Sequence, residues 1–68
     1  MTIAEELRKE GEQKGIQKGI LDNLEVRFGP VPEGLREAVE AVGDEERLRS
    51  LHRASITAAS LEEFAREL

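Results

Sequence analysis

A chain of 68 residues holds one small domain, and at that size only roughly 60% of the unfolded surface is buried, so the core needs regular helix packing, a staple or a partner subunit. With no cysteine and one histidine, a disulfide staple is excluded and a four-ligand zinc site is disfavoured. Fifteen acids against ten bases give a net charge of −5, and the aromatics are two phenylalanines, a balance that repels nucleic acid and supplies neither a base-stacking platform nor an ordinary ligand pocket.

The chain is punctuated at Gly29-Pro30-Val31-Pro32, at Gly43-Asp44 and more weakly between Ser55 and Ser60. Between these breaks the apolar spacing is helical, with no alternating run bounded by turns. The prediction is an all-α fold: a long, coiled-coil-like N-terminal helix in residues 1–28, then a small bundle of three short helices in residues 29–68. No apolar run is long enough for a bilayer span or a signal-peptide core. The chain therefore reads as cytoplasmic, non-enzymatic and without a cofactor.

The first helix is expected from about Ala4 to Phe28, opened by Thr2 and Glu5 in capping-box spacing. Positions 3, 7, 10, 14, 17, 21, 24 and 28 alternate steps of four and three, the heptad seam of a coiled coil. Ile3, Leu7, Leu21, Leu24 and Phe28 occupy its ends, while Glu10, Lys14 and Gln17 fill the middle. Such a seam cannot bury itself and needs the following helices, another chain, or both; a homodimer is predicted, with the polar middle setting register. Gly11, Gly15 and Gly19 recur every fourth residue beside it, each costing about 0.8–1 kcal/mol relative to alanine. Two readings stay open: a ridge of small residues that admits a second helix, or a tether against which nothing packs.

The second helix is expected from Pro32 to Val42, with Leu35, Ala38, Val39 and Val42 inward. The third starts at Asp44 as N-cap and turns Leu48, Leu51 and Ile56 to the core, with Ala54 or Ser55 between. The last repeats capping-box spacing at Ser60 and Glu63 and buries Leu61, Phe64, Ala65 and Leu68.

Chemistry-bearing residues are sparse. His52 lies beside the inner face of the third helix with no nucleophile or orienting carboxylate placed for it, so a packing role is expected. Asp44-Glu45-Glu46 and Glu62-Glu63 lack the alternating oxygen ligands of a calcium loop and suit helix N-termini. Arg47, Arg49, Arg53 and Arg66 alternate with acids as a solvated mixed-charge face does. Glu12-Gln13-Lys14 has the Glu-x-Lys form of metal-dependent nucleases but falls in a helix, where residues two apart diverge. No catalytic, cofactor-binding or metal residue is assigned.

Met1-Thr2-Ile3-Ala4-Glu5-Glu6-Leu7-Arg8-Lys9-Glu10-Gly11-Glu12-Gln13 resembles a phrase near the C-terminus of the recombination-promoting nuclease (Rpn) family of PD-(D/E)XK transposase-like proteins. Leu24-Glu25-Val26-Arg27-Phe28-Gly29-Pro30-Val31-Pro32 and Ala59-Ser60-Leu61-Glu62-Glu63-Phe64 are similar to the helical tail of that family. The resemblance implies a DNA endonuclease domain ahead of this segment in full-length members. It carries no catalytic residue onto this chain. It further implies that a short form starting at such a methionine pairs with the tail of the full-length nuclease and restrains it, as an antitoxin restrains a toxin. The interface predicted for that pairing is Ile3, Leu7, Glu10, Gly11, Lys14, Gly15, Gln17, Gly19, Leu21, Leu24 and Phe28. Two alternatives stand beside it: an accessory helix bundle binding nucleic acid through Arg8, Lys9, Lys14 and Lys18, or a passive oligomerisation domain of the parent nuclease.

Overall fold

The computed structural model describes residues 3–68, apart from the side chains of residues 4–7. The Thr2–Glu5 capping box and the side chain of Leu7 therefore lie outside the described residues. The described chain is all-α: α1 (Ile3–Phe28), α2 (Glu33–Glu40), α3 (Glu45–Thr57) and α4 (Leu61–Ala65). No described helix is long and apolar enough to cross a membrane.

Helix α1 runs unbroken through Gly11, Gly15 and Gly19. It ends where Gly29 takes a φ of +90°, a conformation open to glycine but strained for other residues, with its N–H donating to the Glu25 carbonyl at 2.9 Å. Pro30 then blocks further helix. Pro32, expected as the first helical residue of α2, is instead its N-cap, one position before the helix begins at Glu33. It offers no side-chain acceptor, and its carbonyl takes the Arg36 N–H at 3.0 Å. Asp44 caps α3 by accepting from the Glu46 N–H. Ser60 caps α4 through Glu63 N–H, while the Glu63 carboxylate reaches back to Ala59 N–H at 2.9 Å, one residue before the cap.

One core joins the C-terminal half of α1 to all three short helices. Ile20, Leu21 and Leu24 of α1, Val39 of α2, Leu48 and Leu51 of α3, Ala58 just after α3, and Phe64 of α4 are buried together. Half-buried Ile16, Phe28, Val31, Leu35, Val42, Ala54, Leu61 and Leu68 surround them. The turn after Phe28 thus marks a change of chain direction, and the packing crosses it. Helix α2 runs back beside α1, and α3 then runs parallel to α1. That register is fixed by three contacts: Gln13 with Gly43, Gly19 with His52 and Asn23 with Ser55.

Two apolar assignments on the short helices need correction. Ile56 is 54% exposed, and Ser55 takes the inward position instead. From Leu51 a helical residue four places on returns to the same face, whereas five places overshoots it. Burying a serine costs little here because its hydroxyl is doubly paired: it donates to the His52 carbonyl and accepts from Asn23 Nδ2 at 3.1 Å. Ala65 of α4 is likewise exposed rather than inward.

Candidate interaction surface

The polar middle of the α1 seam has two fates. Gln17, expected to set register between chains, is half-buried and donates through Nε2 to the carbonyls of Val42 at 2.9 Å and Glu40 at 3.3 Å. Gln13, one turn earlier, donates to the Gly43 carbonyl at 2.7 Å. Carbonyls at a helix C-terminus lack intrahelical partners, so this pair of glutamines caps α2 and pins the middle of α1 to the bundle. The signal is an i, i+4 pair of amides, but without α2 in place Gln17 reads as a register-setting seam position and Gln13 as an unassigned neighbour. Glu10 and Lys14 remain exposed.

The C-terminal seam residues turn toward the chain's own core. Leu24 is fully buried, Leu21 is nearly so, and Phe28 is half-buried with the Arg27 guanidinium 4.6 Å from its ring centroid. Arg27 also donates to the Ser55 carbonyl at 2.9 Å. Ile3, at the other end of the helix, is 77% exposed. The seam therefore divides at about Gln17, with its far half consumed within the chain.

The three glycines divide as well. A Cβ built at Gly19 would sit 3.8 Å from the His52 ring, an ordinary contact, so α1 and α3 touch there. At Gly11 and Gly15 a Cβ would meet nothing within 4 Å. The ridge is used once inside the chain and is open at its other two steps.

Two grooves flank α1. The one toward α3, about 640 Å³, is lined by Glu12, Gly15, Ile16 and Gly19 on α1 and by Glu45, Arg49, His52 and Arg53 on α3. The one toward α2, about 610 Å³, is lined by charged residues including Lys14, Lys18, Asp22, Glu25 and Arg36. His52 sits half-buried in the first groove, against Gly19. Among the described residues no three His, Cys, Asp or Glu side chains gather where they could hold a metal ion. Arg49 pairs with Glu45 at 2.9 Å, an exposed i, i+4 bridge of little energetic weight. Arg47 donates to the Leu68 and Glu67 carbonyls and ties α3 to the end of the chain.

Arg8, Lys9, Lys14 and Lys18 are all exposed. At 100° per residue they spread around the helix, and Glu10 and Glu12 interrupt them, so they form no continuous basic stripe. Comparison with known proteins gave no matching family model, curated protein or solved structure.

Proposed function

We propose that this chain is a non-catalytic, self-associating helical module. It pairs through α1 with a like helix in the tail of a related DNA nuclease and restrains that enzyme. The observation that carries this reading is the division of α1: its C-terminal half is committed to the chain's own core, while Ile3 and the open steps at Gly11 and Gly15 have no cover. A 68-residue domain with a small core gains stability from a partner helix that covers the exposed Ile3 and the open steps at Gly11 and Gly15. The nuclease as partner rests on the resemblance of Met1–Gln13 and the later helical text to the Rpn tail. The net charge of −5 and the scattered bases of α1 favour a protein partner over nucleic acid.

The test has two parts. Sedimentation equilibrium across a concentration series, read by interference because Tyr and Trp are absent, should show a reversible dimer. Titration of the chain into a full-length Rpn-type nuclease should lower the rate of DNA cleavage in a saturable way. Undiminished cleavage at a large molar excess would remove the regulatory role.

A further inference from the structure

Resting on the self-association just proposed, we infer that α2 is a displaceable strap. In the dimer the N-terminal arm of a second copy's α1, running antiparallel, takes the place of α2 along the seam. Seam positions Lys14, Gln17 and Leu21 all line the groove between α1 and α2. A helix that follows the seam from its exposed half, past Glu10 and Lys14, therefore meets α2 at Gln17 and stops there while α2 is docked.

The exposed charges set the register and select the occupant. When two α1 helices lie antiparallel about a two-fold axis beside residue 12, Glu10 of each copy is opposite Lys14 of the other, and both pairs are of opposite charge. A parallel pairing in register would set Glu10 on Glu10 and Lys14 on Lys14. The positions flanking the axis are Gly11 and Gln13, so no like charges meet there. In this register position 7 falls opposite Gln17, and Ile3 opposite Leu21. Ile3 is 77% exposed, whereas Leu21 is 7% exposed beneath α2. Covering the first with the second requires α2 to leave.

The strap is lightly held. It is eight residues long, too short to persist as a helix in water once undocked, and non-helical links at residues 29–32 and 41–44 flank it. Its backbone lies close to that of α1 and not to those of α3 and α4. Val39 is its one fully buried residue. Arg36 and Glu40 share the groove with Lys14, Lys18, Asp22 and Glu25, yet among the described residues no ion pair joins α2 to α1. The remaining ties are the amides of Gln13 and Gln17 on the carbonyls that follow and end the helix.

Amide hydrogen exchange on the wild-type chain, across the concentrations where sedimentation equilibrium shows dimer forming, reads the displacement. The amides of α2 should exchange about tenfold faster or more as dimer forms, while those of residues 3–12 become protected. Val39→Ala loosens the strap from a position off the seam. Because both copies must release α2, it should tighten dimerisation by more than about tenfold. Gly34→Ala adds helix propensity to α2 at an exposed site where a Cβ meets nothing within 4 Å, and should weaken dimerisation about threefold. Glu10→Lys should weaken it about tenfold, and adding Lys14→Glu to the same chain should restore it to within about threefold. Circular dichroism checks that each variant keeps its helices.

A dimer whose α2 amides stay protected, or that Gly34→Ala tightens, overturns the strap while leaving self-association intact, as does a folded Val39→Ala chain that dimerises more weakly. A double charge swap that fails to recover overturns the antiparallel register. A wild-type chain that stays monomeric at every concentration overturns self-association and the strap together.

Discussion

The glycines of α1 and the Gly29 that follows it give the sharpest stability test, because alanine is expected to stabilise within the helix and to destabilise just beyond it. At Gly15 the backbone is helical and a Cβ meets no atom within 4 Å, so alanine adds helix propensity without a clash. The gain is about 0.8–1 kcal/mol, which for a domain of this size raises Tm by about 3–8 °C. Gly19→Ala should gain similarly, since its Cβ would meet the His52 ring at 3.8 Å, an ordinary contact. Gly11 lies beyond Gln13, the last α1 side chain seen bonded to the bundle, so Gly11→Ala should raise helicity more than it raises Tm. Gly29→Ala should do the reverse of Gly15→Ala, because Gly29 holds a φ of +90° that alanine adopts only under strain. The assay is thermal unfolding followed at 222 nm, at concentrations where sedimentation finds only monomer, so that any effect on pairing is kept apart. A Gly15→Ala chain that melts at or below the wild-type temperature would refute a continuous α1 packed as described.

Three further substitutions test the core. Leu24→Ala removes a fully buried side chain from the centre of the α1 contribution, at a cost of about 2–5 kcal/mol, enough to leave much of so small a domain unfolded at 25 °C; urea titration of the variant should show a lost or strongly lowered midpoint. Ile56→Ser changes a residue that is half exposed, so its urea midpoint should shift by no more than the equivalent of about 0.5 kcal/mol, whereas Ser55→Val should destabilise by stranding the amide of Asn23.

Much of this fold is legible in the sequence, because its signals are local. Gly29-Pro30 stops α1 for reasons contained in two residues, and Asp44 and Ser60 cap their helices through bonds spanning no more than three positions. What escapes are the features that depend on a neighbour far along the chain. Ser55 reads as a filler between apolar residues until Asn23 and Arg27 arrive from α1, and only then does its burial make sense beside an exposed Ile56. Gln17 reads as a polar seam position and Gln13 carries no assignment until the carbonyls of Glu40, Val42 and Gly43 stand opposite them.

The seam itself illustrates why periodicity underdetermines a partner. A stripe repeating every 3.5 residues and one repeating every 3.6 part by only about 20° per heptad, so over the roughly three turns from Gln17 to Phe28 a coiled-coil seam and an amphipathic face toward a small bundle are one pattern. Leu21, Leu24 and Phe28 fit either, and in this structure they face the chain's own core. While α2 stays docked, the self-association proposed above therefore needs a surface elsewhere on the helix, and composition bears on where. Glycine weakens a helix interior, and its presence at three successive fourth positions is neutral for an internal core that touches only Gly19. Gly11 and Gly15 confer nothing on the isolated chain. Close approach of a second backbone is the circumstance in which their lack of a side chain becomes favourable. The heptad and the glycine ridge are thus two faces of one helix: the C-terminal half of the first turns inward to α2, α3 and α4, and the second meets the rest of the chain at Gly19.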